Sequence, residues 1–178
     1  MRAAWISIFI LASCAAAPAA KAQPAPARVE EAYAPYAGLI GTWQSNGGEI
    51  VQRFNWGPGR SYILYSTTTR GGDGAEHLHF EGILLYNAAT QALDFLIALE
   101  PGSLGLERGS IHAEADGSLV RDVEFVGPGG ATGRFRQTYR LPSTGDGETS
   151  LMRDDGHGGW TPTFPGSEHL AMHRVDAG

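Results

Sequence analysis

The sequence predicts an all-β domain: a single antiparallel up-and-down barrel of about 8–10 strands behind a short N-terminal helix. Three observations carry that expectation. Short apolar and β-branched runs alternate with clusters of Gly, Pro, Asn and Asp. No internal repeat and no helix-length period of 3.6 residues is present. The 178 residues include 25 Gly and 10 Pro, yet 42% are hydrophobic and 10% aromatic, which supplies a core.

The first element is an address. In residues 1–22, Arg2 precedes an apolar stretch, Pro18 breaks it, and Ala20-Lys21-Ala22 has the small-x-small form of a cleavage site. The stretch is shorter than the roughly 20 apolar residues of a spanning helix. A signal peptide over residues 1–22 implies a secreted or periplasmic protein of the bacterial envelope. Leu11-Ala12-Ser13-Cys14 also resembles a lipoprotein processing box, so lipidation at Cys14 is the one route to a membrane. Cleavage after Ala22 removes the only cysteine, and with it any disulfide or thiolate chemistry. It also removes Arg2 and Lys21, leaving 11 basic against 19 acidic side chains, a net charge of −8. That balance argues against a nucleic-acid partner, which needs a basic footprint. Residues 23–28 read as a flexible leader, and residues 29–178 as the barrel domain.

Within the domain, residues 29–36 (VEEAYAPY) form a short helix that Pro35 keeps short. Strands are expected at 39–45, 50–56, 61–69, 76–86, 92–99, 104–113, 118–126, 132–141, 149–153 and 169–175. Gly-rich turns separate them, as at Gly57-Pro58-Gly59 and Gly127-Pro128-Gly129-Gly130.

One hairpin specifies its own register. Leu119, Arg121, Val123 and Phe125 share a face, as do Phe135, Gln137, Tyr139 and Leu141 across the turn. Placing Glu124 opposite Arg134 and Asp122 opposite Arg136 also places Val123 opposite Phe135 and Leu119 opposite Tyr139. The charged face is then solvent and the other lines the barrel. The same register sets Arg121 opposite Gln137 inside, where an unpaired charge is costly. Arg121 and Gln137, with Tyr139, are the candidate ligand-binding residues. A structural hydrogen bond is the alternative for them.

Other clusters carry less. His77, His79 and Glu81 alternate with Leu78 and Phe80, and His77 and Glu81 are about 13 Å apart along a strand, so they cannot close a metal site unaided. Residues 152–159 combine acids and a His, lack the regularly spaced oxygens of a hard-cation loop, and read as a hairpin loop. Ser, His and Asp types lie near Ser110, but no Gly-x-Ser-x-Gly elbow occurs. No catalytic residue and no metal ligand is assigned. Tyr62, Tyr65, Tyr86, Trp56 and Phe95 add aromatic material for a core or pocket. Pro162-Thr163-Phe164-Pro165-Gly166 reads as a rigid connection at a barrel mouth or a corner.

Gly41-Thr42-Trp43 opens the first strand and Arg174 lies in the last. A Gly-x-Trp on the first strand with an Arg on the last resembles the lipocalin-like (calycin) barrels. The resemblance implies a calycin-like barrel in which Arg174 lies over Trp43 and closes one end. The chain is also similar to nitrobindin-like haem barrels and to uncharacterised bacterial lipocalin-like secreted proteins. That likeness rests on Gly41-Thr42-Trp43, Glu81-Gly82-Ile83-Leu84, Leu104–Gly109 and Glu168-His169-Leu170. The nitrobindin likeness implies haem as cofactor with His169 as its axial ligand. Strand alternation leaves two orientations for that imidazole: toward water if Leu170 and Met172 line the barrel, and inward otherwise.

The leading expectation is a secreted or periplasmic barrel holding a small, largely apolar molecule. The alternatives are a haem barrel using His169 and a filled, ligand-free envelope protein. An enzyme has no residue constellation to support it, and the sequence does not specify an oligomeric state.

Overall fold

The computed structural model describes residues 28–143 and 145–175. The signal peptide with Cys14, and residues 23–27 of the leader, lie outside the described residues. Eleven strands follow one short helix, α1 (Val29–Tyr33). They are β1 (Gly41–Ser45), β2 (Ile50–Trp56), β3 (Ile63–Arg70), β4 (Glu76–Asn87), β5 (Ala92–Leu99) and β6 (Leu106–Ala113). Then come β7 (Leu119–Val126), β8 (Thr132–Arg140), β9 (Gly147–Asp154), β10 (Trp160–Pro162) and β11 (Leu170–Val175).

Strands β1 to β9 form an antiparallel meander, and β11 pairs with both β9 and β1. The result is a closed ten-strand barrel, which leaves no long edge open to another chain. It is consistent with a calycin or lipocalin-like fold. The β7–β8 register is the expected one, with Glu124 opposite Arg134 and Leu119 opposite Tyr139. Outside, Arg136 bonds Asp122 at 2.8 Å, whereas Glu124 is taken by Arg108 at 2.9 Å and Arg134 reaches Asp154 at 3.2 Å.

Two features depart from simple alternation. The β3–β4 pairing jumps between Thr67, opposite Phe80, and Thr68, opposite Leu78, so His79 is an extra residue in a bulge. His77 then faces Thr69 while Glu81 faces Ser66, and these two lie on opposite faces of the sheet. The expected shared face of His77, His79 and Glu81 is broken for that reason.

The second departure is the tenth strand of the barrel. β10 pairs with Met152–Asp154, and β11 with Gly147–Thr149, on the same edge of β9. They are two halves of one strand, and the chain leaves the sheet between them. Phe164-Pro165-Gly166-Ser167 turns there, with the Ser167 amide donating to Phe164 O at 3.0 Å and Gly166 at φ +86°. Pro followed by a positive-φ Gly is the type II turn pattern. The Leu151 carbonyl anchors the excursion, accepting from the Ser167 hydroxyl at 2.7 Å and the Thr163 amide at 3.2 Å.

The opposite end is shut by α1 and the single-stranded coil of 3-10 turns after it (Ala34–Leu39), which starts where Pro35 is tolerated. Tyr33, Tyr36 and Leu39 are buried under it. The Tyr33 hydroxyl donates to Ser61 O and accepts from the Tyr86 amide, each at 2.9 Å, tying the helix to two hairpins. Burial pushes the Tyr36 phenol from 10.0 up to about 12.

Trp43 is fully buried at this end, and its indole N–H donates to Leu39 O at 2.9 Å. The Arg174 guanidinium carbon lies 4.3 Å from the centroid of that ring. Arg174 also donates to Ile40 O at 2.7 Å and to Gly38 O at 3.1 Å, so one cation satisfies two carbonyls of the entry segment. Gly41 makes the approach feasible. Its φ is +131°, and a Cβ there would lie 2.8 Å from Arg174 Nη1. The left-handed backbone is what requires glycine at this position of the Gly-x-Trp motif, and a side chain there would also press on the tip of Arg174. Gly41→Ala is expected to cost about 1–3 kcal/mol, the usual scale of such backbone strain. The readout is a lower urea midpoint at unchanged m-value, and an unchanged midpoint would refute the requirement.

Candidate functional site

Strand alternation sorts the barrel interior into three tiers. At the helix end, Phe54, Ile63, Leu84, Leu93, Ile111 and Met172 make a dry core around Trp43. Across the middle runs a belt of buried polar groups: Gln52, Tyr65, Thr67, Arg121, Gln137 and Thr149. Toward the other mouth lies a cavity of about 300 Å³ whose walls are Ile50, Phe80, Phe125, Phe135, Leu151 and Leu170. Phe164 of the excursion also lines it, so that segment covers part of the mouth. The size falls at the small end of ordinary ligand pockets.

The belt is built around one charge. Arg121 is 6% exposed and Glu107 13%, and Nη2 of the arginine donates to the carboxylate at 2.5 Å. Nη1 donates to Gln137 Oε1 at 3.1 Å. The guanidinium also rests 4.7 Å from the Phe95 ring centroid. Phe95 can lie there because Gly109, at φ +153°, has no side chain: a Cβ would sit 3.0 Å from the ring and 1.9 Å from Asp122 O. Burial opposes the guanidinium's charge, but Tyr65, Glu107 and Tyr139 outweigh it and hold its pKa above the ordinary arginine value.

The remaining belt groups satisfy one another. Gln137 Oε1 accepts a second bond from the Tyr139 hydroxyl at 2.7 Å, and its Nε2 donates to Thr149 Oγ1 at 3.2 Å. Burial pushes the Tyr139 phenol well up, so it stays a neutral donor. Gln52 Nε2 and Thr67 Oγ1 both bond the Tyr65 hydroxyl, at 3.0 and 2.6 Å. One acceptor is left over: Gln52 Oε1 is buried with no hydrogen-bond partner.

Each residue singled out from the sequence has a definite place. Arg121 and Gln137 line the cavity. Tyr139 is fully buried beneath it and contacts Gln137, so it supports the belt and does not line the cavity. Trp43 and Arg174 belong to the closed end. His169 lies outside: its side chain is 78% exposed and bonds Glu148 at 3.1 Å. The physical reason is the alternation of β11, which buries Met172 completely and turns Leu170 to the cavity. No histidine is among the described residues that line the cavity. The residues present therefore do not fit an imidazole-ligated haem, and the axial role implied for His169 has no counterpart in this geometry.

Glu107, Gln52, Tyr65 and Thr67 are site residues that pairing one hairpin left unassigned. Their signal was phase. Glu107 lies in step with buried Ile111, and Gln52 in step with Phe54. Elsewhere, His79 bonds Thr69 at 2.8 Å, and Asp155 caps its own hairpin turn by accepting from His157 and Gly159 amides. No group of three His, Cys, Asp or Glu among the described residues could hold a metal ion. No helix among the described residues is long and apolar enough to cross a membrane. No protein-family model matches the chain, and no curated protein matches it.

Two outcomes are expected. Arg121→Met and Glu107→Leu should each cost about 3–5 kcal/mol in urea unfolding, because each strands the other's charge, while the double variant should recover most of that loss. Additive losses would mean that the two side chains do not act as a pair. Added hemin should give no Soret band that depends on His169, so His169→Ala should leave the spectrum unchanged. A band lost in that variant would reverse the placement of the imidazole.

Proposed function

We propose that this protein is an exported barrel that binds a small, largely apolar molecule in the cavity between the polar belt and the Phe164 excursion. One observation carries the reading: an aromatic and aliphatic chamber of about 300 Å³ ends on a floor of ordered polar groups. A chain folding only for stability gains by filling such a space, since interiors are close-packed. Here the side chains stop short, and the Phe164 excursion covers part of the mouth instead. The absence of histidine from the lining favours an apolar ligand over haem. Export rests on residues 1–22 of the sequence, and a lipid on Cys14 would tether the barrel to a membrane.

The belt would orient the ligand and the walls would supply affinity, at about 25 cal/mol per Å² of apolar surface removed from water. Nothing in the cavity combines a nucleophile with a base, so binding and release, without chemistry, describe the proposed activity. Native mass spectrometry of the protein taken from its own envelope should show one small molecule per chain. Leu151→Trp, which fills the chamber, should abolish that adduct and weaken an apolar fluorescent probe at least tenfold while leaving the circular dichroism unchanged. Probe binding unaffected by Leu151→Trp would overturn the proposal.

A further inference from the structure

The floor of the cavity has a definite charge balance and one unfilled hydrogen bond, and together they select a class of ligand. Among the described residues that line the cavity, Arg121 is the only cation and Glu107 the only anion. They neutralise each other at 2.5 Å, and Gln137 takes a further guanidinium N–H. A carboxylate entering this chamber would leave water without gaining an unpaired cation, and it would sit beside the Glu107 charge. Both effects disfavour it.

The vacancy has the opposite character. Gln52 lines the cavity, is only 7% exposed, and leaves Oε1 without a partner. A buried amide oxygen in that state forgoes a hydrogen bond worth having, and a ligand donor would restore it. Beside it, the Tyr65 and Thr67 hydroxyls share one bond at 2.6 Å, and Tyr65 also accepts from Gln52 Nε2. Two hydroxyls carry two protons and their mutual bond uses one, so the pair offers a second proton to a ligand. A free acceptor next to a free donor matches a group that both donates and accepts.

We infer that the cavity recognises an uncharged hydroxyl at the end of an aliphatic chain, with Gln52 Oε1 accepting the ligand's O–H and the Tyr65–Thr67 pair donating to its oxygen. The inference rests on the binding function proposed above and adds the chemical class of ligand. The chain lies against Phe80, Phe125, Phe135 and Leu170, and the hydroxyl meets the belt. Arg121 and Glu107 act as a neutral floor that rejects fatty acid anions of the same length.

Displacement of a bound apolar fluorescent probe by three ligands of equal chain length tests this. The ligands are decanol, its methyl ether, which accepts but cannot donate, and decanoate at a pH where it is fully ionised. Decanol should compete at least tenfold better than either of the others. Gln52→Leu should bring decanol down to the level of the ether and leave the ether unchanged. Gln52→Met serves the same purpose if the leucine variant unfolds, and the wild-type ranking requires no variant. Decanoate or the ether matching decanol would overturn the hydroxyl assignment while leaving the barrel a binder. A preference for decanol that survives both variants would do the same, assigning the Gln52 oxygen to a resident water. Failure of all three ligands and of the probe would remove the binding function itself.

Discussion

A charge inside a barrel must be answered where it stands, and Arg121 organises the middle of this molecule on that account. Its guanidinium takes the Glu107 carboxylate, the Gln137 amide and the Phe95 face. Each of these needs its own support. Gln137 is held by Tyr139 and Thr149, and Phe95 has room because position 109 is glycine. Replacing the pair by apolar residues of similar volume would be as stable in many proteins. Keeping it places an ordered polar layer between a dry core and an apolar chamber. A wholly apolar interior would lack an orienting surface at that depth.

The two ends of the barrel are closed by different physics. At the helix end, one cation lies over an indole and binds the entry carbonyls, and tyrosines fill what remains. Among the described residues, the Arg174 Nε is the one buried side-chain polar atom left without a partner there. At the other end a proline-glycine turn lies across the opening, held mainly by bonds to the Leu151 backbone. One of those bonds comes from a residue that lines the chamber, since the Thr163 hydroxyl donates to Leu151 O at 3.1 Å.

Much of the fold was legible in the sequence because its signals are local. Opposed charges and apolar pairs fixed the β7–β8 register, and Gly-rich turns placed the strands with bounds shifted by a few residues at most. The short helix followed from Pro35, and the Trp43–Arg174 pairing was implied by the resemblance that the Gly-x-Trp motif carries. What was not legible depended on partners distant in sequence. The bulge at His79 is visible only against β3, so alternation along β4 alone set His77 and Glu81 on one face. Glu107 answers Arg121 from a strand that one hairpin did not constrain. His169 had two orientations until Met172 was known to be buried. The three-residue β10 was too short to register as a strand at all.

The broken tenth strand separates two tasks that a continuous strand would combine. β10 and β11 pair with β9 on either side of Leu151, and there the excursion itself completes the bonding: the Leu151 amide donates to Ser167 O at 2.6 Å and Leu151 O accepts from the Thr163 amide at 3.2 Å. Substitutions at the exposed Phe164 and Glu168 leave those bonds in place and so alter the doorway without disturbing the wall. The scaffold therefore offers a place for reshaping access to the chamber, by natural variation or by design, as long as the two anchors on Leu151 are kept.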